Sequence, residues 1–283
     1  MLIAKAISSA SRKLNEAGVT SPQIDAEWLA SWALGASRSE LTQSILNEQS
    51  FDDLALEKFQ SAIELRAQRV PLQHITGKAY FRHLELNVGQ GVFVPRFETE
   101  QVVGYAIELI GKIANPKIID LCSGSGAIAL SLFTEVEGAE VYAVEKSPEA
   151  FEFLLVNASS HGFPIDRLQL ADLANGFEEQ KGSFDLVICN PPYIPTDAIP
   201  VDIEVRLHEP KLALYGGEDG LDVIRILSQR AQELLKPSGL LVLEHADIQA
   251  AAISELLLAD GWVSIDSQKD LAGKDRMISA TKA

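Results

Sequence analysis

Long apolar runs, cysteine and positive charge are what this 283-residue sequence is short of. No apolar stretch reaches the ~18 residues that a membrane-spanning helix needs. The opening "MLIAKAISSASRKLNEAG" mixes charge in too early for a secretory leader. The two cysteines, Cys122 and Cys189, are too few for a disulfide framework and suggest a reducing compartment, so a cytoplasmic protein with no membrane partner is expected. Lys and Arg number 24 against 40 Asp and Glu, a formal net charge of −16. A protein built to grip a phosphate backbone is expected to carry a basic face, so direct nucleic-acid binding is not expected. The deficit is uneven: residues 1–80 hold 8 basic against 9 acidic side chains, which leaves −15 on the remainder. Repeats and low-complexity segments are absent. So is any Gly-Lys-Ser/Thr, which excludes a nucleotide phosphate loop.

The sequence does carry 47% hydrophobic residues, enough for a substantial core, over a length that suits one large domain or a domain and a smaller companion. Up to about Arg69 the pattern is helical. In "SPQIDAEWLASWALG", Ser21 sits at the cap position, Pro22 at the first helical position and Gly35 at the stop. Ile24, Trp28, Leu29 and Trp32 fall on one stripe, expected to be core. "FDDLALEKFQSAIELRAQRV" places acids in its first turn and Arg66 and Arg69 near its end, as the helix dipole favours. The character changes at Pro71: "HLELNV", Gly-Gln-Gly and "VFV" read as a β-hairpin. From about Gln101, short apolar strands ("KIIDLC", "EVYAVE", "RLQLAD", "FDLVIC", "GLLVLEH") alternate with helical segments, the mark of a parallel α/β sheet. "WVSIDSQ" and "DRMISAT" are expected to pair antiparallel at one edge.

"IIDLCSGSGAIAL" reads as strand, glycine turn and helix, with Gly124 and Gly126 letting the backbone approach a ligand at the helix N-terminus. Alone it could bind a dinucleotide or another adenosine-containing ligand, or only make a turn. Glu145 ends the next strand, 21 residues after Gly124, where an acid can bind ribose hydroxyls. Asp172 ends the third strand, where it could accept from an adenine amino group while Leu173 packs beside the ring. The fourth strand ends in "NPPY". Its prolines fix the backbone and donate nothing, so the Asn190 side-chain carbonyl and the Pro191 main-chain carbonyl can accept both protons of one planar NH2 group. Pro192 stiffens the cup and Tyr193 can lie against the plane of that group.

These motifs, with "VPRFETE", "PLQHITG", "EPKLALYGGEDGLDVIR" and "DLAGKDR", resemble the class I S-adenosylmethionine-dependent methyltransferases that modify glutamine N5 in peptide chain release factors. The resemblance spans essentially the whole chain. It implies a Rossmann-like α/β fold with a mostly parallel seven-stranded sheet and a small N-terminal helical bundle joined by a β-hairpin. The implied organisation is a helical substrate-recognition domain over 1–75, the hairpin linker over 76–96 and the methyltransferase domain over 97–283. It implies S-adenosyl-L-methionine as cofactor, S-adenosyl-L-homocysteine as product, and the glutamine of a release factor's Gly-Gly-Gln motif as acceptor. The cofactor site would comprise Asp120, Cys122, Ser123, Gly124, Ser125, Gly126, Glu145, Asp172, Leu173 and Asn190. Asn190, Pro191 and Tyr193 would carry catalysis and, with Pro192, hold the substrate. A monomer is expected, with no metal and no general base. Other acceptors of the same geometry are a ribosomal protein glutamine or an exocyclic amine of adenine or guanine, and a non-catalytic adenosine-binding module could keep the fold. The sequence departs from the family at two places. Cys122 stands where a further Gly is usual, a mild change as long as the backbone there keeps φ negative. Phe97 stands where the family has Pro, adding bulk expected to lie near the methionine or glutamine pocket.

Overall fold

Each short Ile/Val/Leu run after Pro116 is apolar on both of its alternating faces, so a strand formed from it must be covered on both sides. The computed structural model describes every residue from Met1 to Ala283. The chain opens with helices α1 (Ile3–Glu16), α2 (Pro22–Leu34), α3 (Arg38–Leu46), α4 (Asp53–Ala67) and α5 (Leu72–Thr76). Strands β1 (Lys78–Phe81) and β2 (Leu84–Asn87) and helix α6 (Phe97–Ile110) follow. The alternating part runs β3 (Lys117–Leu121), α7 (Ala127–Glu135), β4 (Glu140–Glu145), α8 (Pro148–Ser160), β5 (Leu168–Leu170) and β6 (Phe184–Cys189). Next come α9 (Ile203–His208), α10 (Lys211–Leu214), α11 (Asp222–Leu234) and β7 (Leu235–Glu244). Helix α12 (Ala250–Ala259) and strands β8 (Val263–Lys269) and β9 (Asp275–Thr281) close the chain.

The seven-stranded sheet has the order β5-β4-β3-β6-β7-β9-β8. Strands β5, β4, β3, β6 and β7 are parallel, β9 is antiparallel to β7, and β8 to β9, as the sequence leads one to expect. Ile118, Val141, Ala143 and Leu186 pack with α6, α7 and α8 on one face. Ile119, Leu121, Val144 and Val187 pack with α11, α12 and Trp262 on the other. The edge strand β8 carries "VSIDSQK", largely exposed and polar, which discourages further strand pairing. Successive strands run outward from β3 on one side and from β6 on the other. The strand order therefore reverses between β3 and β6, and open α/β sheets bind ligands at such a reversal, beyond the carboxyl ends of the strands.

The chain divides into two units. One comprises Met1–Lys78 with Pro200–His208, the other Ala79–Ile199 with Glu209–Ala283. In the helical unit the core is Ile3, Ile7, Leu14, Leu29, Phe59, Ile63 and their neighbours. The expected α2 stripe is corrected here. Leu29 is fully buried, but Ile24 is exposed and Trp28 and Trp32 are only partly covered. The buried face is instead Asp25, Ala26, Leu29, Ala30 and Ala33, because small side chains let α1 and α4 approach closely. The indole faces take cations: Lys58 Nζ lies 3.9 Å from the Trp32 ring and the Arg38 guanidinium 5.5 Å from Trp28.

The hairpin also differs in register from the reading above. Its strands are "KAYF" and "LELN", and the turn is at Arg82–His83, with Arg82 at φ 51°. Gly89–Gly91 makes a separate turn and "VFV" forms no strand. Val88 and Val92 are buried with Ala79 and Ala150 against Phe153, so tertiary packing holds this segment in place of a strand partner.

Candidate active site

Three neighbouring strands end at the reversal point, and a fourth begins there. Leu121 of β3 pairs with Cys189 of β6, and Cys189 with Leu243 of β7, so Cys122, Asn190 and Glu244 follow side by side. Strand β9 runs the other way, pairing Met277 with Glu244, which brings Arg276 to the same end. Thr99, in the first turn of α6, reaches this row. Its hydroxyl donates to Glu244 Oε2 at 2.7 Å and accepts from Asn190 Nδ2 at 3.2 Å. Tyr193 is half-buried, and its hydroxyl donates to Glu244 Oε1 at 3.4 Å. Burial of the Tyr193 ring, then the Glu244 carboxylate, pushes its phenol well above the usual range. Glu244 is 2% exposed. Burial raises its carboxyl to about 7 against the opposing pull of Thr99, Arg276 and Tyr193.

The proline-stiffened cup is held from behind by the glycines of "YGGEDG". The Ile194 amide donates to the Leu214 carbonyl at 2.8 Å, and the Gly216 amide to the Ile194 carbonyl at 2.9 Å. A Cβ on Gly216 would lie 2.5 Å from the Pro192 carbonyl oxygen, and one on Gly220 2.3 Å from that of Tyr193. Gln249 Nε2 donates to the same Tyr193 carbonyl at 2.9 Å. Glu209 accepts from Val94 N and Arg96 Nη2, and Asp270 from Arg276 Nε and two amides of its own turn. "VPRFETE", "EPKLALYGGEDG" and "DLAGKDR" are thus the supports of the cup.

On the β3 side, the glycine turn fits an adenosine-type ligand. Gly124 has φ 56° and a Cβ there would meet nothing within 4 Å, so this part of the turn is open. Gly126 has φ 89° and serves packing, since a Cβ would press on Leu154 at 2.7 Å. Glu145 accepts from Gly124 N through Oε2 and from Ser147 N through Oε1, both at 2.7 Å. A carboxylate has about four acceptor sites, so capacity remains for a diol. Burial raises the Glu145 carboxyl despite those amides. Asp120 is fully buried beneath the turn. Its Oδ2 accepts from Ala129 N at 3.2 Å, Oδ1 has no hydrogen-bond partner, and burial pushes its carboxyl up to about 8. The Ser123 amide donates to the Val144 carbonyl, and the Ser125 carbonyl accepts from Asn157 Nδ2. Asp172 pairs with Lys146 at 2.8 Å, whose ammonium holds it below the usual carboxylate range. Leu173 is buried in the core.

The two departures turn out differently from the reading above. Cys122 has φ 69°, in the left-handed region, so the backbone does need the conformation that a glycine supplies there. Phe97 is 62% exposed and lines a groove with Gln101, Tyr105, Lys269 and Met277, separate from the face on which Thr99 meets Asn190.

Residues 5–77 match the PrmC N-terminal domain and residues 113–271 a methyltransferase domain. The release factor glutamine methyltransferase of Streptomyces coelicolor is 44% identical over 100% of this chain and 99% of its own. That of Bifidobacterium longum is 39% identical over 99% of both chains. The chain belongs to the release factor glutamine methyltransferases. Among solved structures, a ribosomal protein methylase from Lactobacillus delbrueckii subsp. bulgaricus aligns with a TM-score of 0.51 at 18% identity, over 70% of this chain and 84% of that one. A 16S rRNA methyltransferase of T. thermophilus, in complex with AdoMet and guanosine, aligns with a TM-score of 0.53 at 19% identity, over 73% and 50%. At that identity these likenesses show the class I methyltransferase fold alone.

Within this release factor glutamine methyltransferase, sequence reasoning missed Thr99, Glu244, Arg276 and Asn157. Glu244 was findable, since it ends a parallel strand as Glu145 and Asp172 do. Asn157 was not. It is a fully buried mid-helix amide that joins the Ser125 carbonyl to Asn87 of β2, and nothing local announces it.

Proposed function

We propose that this protein transfers the methyl group of S-adenosyl-L-methionine to the side-chain amide nitrogen of a release factor glutamine, that of the Gly-Gly-Gln motif. The observation that carries the reading is Asn190, held by Thr99 beside the glycine turn in a chain of this family. Bound at the glycine turn, the cofactor supplies a methyl group activated by its sulfonium. Glu145 would hold the ribose hydroxyls, with the backbone of Cys122–Gly126 and the buried Asp120 beneath. Asp172 would reach the adenine edge while retaining Lys146. An amide nitrogen is a poor nucleophile, so positioning and electrostatics must supply the catalysis. The Asn190 Oδ1 and the Pro191 carbonyl would accept the two amide protons, aim the nitrogen lone pair at the methyl group, and stabilise the positive charge that grows on nitrogen. Tyr193, tethered to Glu244, would wall the cup. No side chain is assigned as general base.

A glutamine on a loop carries little binding energy by itself, so affinity for a whole factor must come from contacts elsewhere, and the helical unit is suited to them. Residues 1–80, most of that unit, carry a net charge of only −1 against −15 on the rest of the chain. The protein is read as a cytoplasmic monomer that does not bind nucleic acid directly. Mass spectrometry of release factors incubated with enzyme and S-adenosyl-L-methionine should find one methyl on one glutamine. Ribosomal protein and rRNA serve as parallel substrates, and labelling of either in preference to the factor would overturn the assignment.

A further inference from the structure

A carboxamide presents an acceptor on one side and a donor on the other, so Asn190 can serve an NH2 substrate only in one of its two orientations. Nothing in a lone asparagine chooses between them. The choice is made by Thr99, whose hydroxyl owns a single proton. An ionised Glu244 can only accept, and at 2.7 Å it takes that proton. Thr99 is then left with lone pairs, and only the NH2 end of Asn190, 3.2 Å away, can satisfy it. The Asn190 oxygen consequently faces the cup. If Glu244 gains a proton it can donate to Thr99, and the Thr99 proton is free to turn to the Asn190 oxygen. The carboxamide can then rotate and present its NH2 to the NH2 of the substrate, donor against donor.

We propose that Glu244 is a positioning residue for methyl transfer: its carboxylate, acting through the Thr99 hydroxyl, latches the Asn190 carboxamide with its oxygen toward the acceptor amide. The inference rests on the reading of Asn190 as the acceptor-amide ligand. Thr99 is 3% and Glu244 2% exposed, so water does not replace the latch. The groups facing Glu244 are Thr99 and Glu98 from α6, Tyr193 after β6 and Arg276 from β9. His245 follows it just past the end of β7, its imidazole held below its usual range by burial and bonded through Nδ1 to the Ala246 carbonyl at 2.8 Å. Glu98 disfavours ionisation while Arg276, Thr99 and Tyr193 favour it, and burial places the balance at about 7. The latch is closed above that pH and opens as pH falls through it.

The test uses the full chain with a release factor as substrate. The kcat of the parent should fall roughly tenfold per pH unit below about 7. Glu244→Gln should lower kcat by about 10–100-fold, the scale of a misplaced reacting group. It should also abolish the acid limb and leave cofactor affinity by calorimetry within a few-fold. Thr99→Val should reproduce that loss, Thr99→Ser should recover turnover because it keeps the hydroxyl, and the double variant Thr99→Val/Glu244→Gln should be no worse than either single one. NMR adds a readout independent of turnover: the Asn190 side-chain NH2 signals should titrate near pH 7 in the parent and not in Glu244→Gln. An acid limb that survives in Glu244→Gln, full turnover by Thr99→Val, or an Asn190 signal unmoved by pH would each overturn the latch. If Glu244→Gln does not fold, the Thr99 pair and the parent titration still decide. A parent that never methylates a release factor would sink the functional reading, while the NMR titration would still decide the latch.

Discussion

Asn190 has one oxygen to offer, and its removal separates chemistry from cofactor binding. Asn190→Ala should lower turnover roughly 10²–10³-fold, by analogy with loss of one positioned oxyanion-hole donor. Cofactor affinity should stay within a few-fold, and near-normal turnover would take Asn190 out of the mechanism. Glu145 is the reverse case. A hydrogen bond to a charged group contributes about 1.5–3 kcal/mol, so Glu145→Ala should weaken cofactor binding roughly 10–150-fold in calorimetry. The loss should sit toward the upper end, because the Gly124 and Ser147 amides lose their acceptor too. Unchanged affinity would place Glu145 outside the site. Cys122 raises a question of backbone strain. Its left-handed conformation costs about 1–2 kcal/mol in an L-residue. Cys122→Gly removes that strain but loses partly buried side-chain contacts and adds unfolded-state entropy of roughly 0.5–1 kcal/mol. The two nearly cancel, so urea unfolding should place Cys122→Gly within about 1 kcal/mol of the parent. Cys122→Val, branched at Cβ, should be clearly less stable. Equal stability of the Val and Gly variants would show that φ at this position is not constrained.

Among the elements, the segment from Leu214 to Asp222 decides whether the cup is rigid. Gly216→Ala would press a Cβ onto the Pro192 carbonyl oxygen, 2.5 Å away, and backbone rather than a flexible side chain must yield. A shift approaching 1 Å at the reacting groups can lower turnover about 10²-fold. Gly216→Ala should therefore lose turnover at that scale while binding cofactor normally, and an active variant would show that the cup is positioned by its prolines alone. The sequence made the strands, their parallel order and the glycine turn legible because each is written in local apolar runs and breakers. It also marked Asn190 and Glu145 by their place at strand ends. It misled where tertiary contacts overrode local pattern. The hairpin turned at Arg82–His83 although Gly-Gln-Gly is the stronger local signal, because Val88 and Val92 found a buried seat with Ala150. The α2 stripe rotated away from Trp28 and Trp32 because Asp25 was needed inside, 2.7 Å from Arg66. The Thr99–Glu244 pair was hidden for a similar reason, its partners being 145 residues apart.

At the scale of the whole molecule, the chain passes between its two units three times, since Pro200–His208 joins the helical unit between two stretches of the sheet unit. That segment is anchored by Glu204. Its carboxylate takes Arg66 Nη1 at 2.9 Å and Arg69 Nη2 at 2.6 Å, and Arg66 also bonds Asp25. Burial works against the ionised form of Glu204, but the Arg69, Asp202 and Arg66 bonds outweigh it and hold the carboxyl down to about 2. A carboxyl whose folded value lies below its unfolded one stabilises the fold above the unfolded value and loses that contribution as pH falls through the folded one. The contribution should thus be constant above about pH 4.3 and fade toward pH 2. Glu204→Gln leaves Arg66, only 7% exposed, short of one of its two carboxylates. Breaking a buried pair from one side costs about 3–5 kcal/mol, and the remaining Asp25 bond places the expected loss at the lower end. Hydrogen exchange should quicken in α4 and α9 at neutral pH, while the sheet amides keep their protection unless unfolding is global. The difference in urea midpoint between parent and variant should narrow as the pH is lowered below about 4.3. Unchanged exchange in α4, or a difference in midpoint indifferent to pH down to the acid limit of the folded state, would show that Glu204 does not anchor the segment.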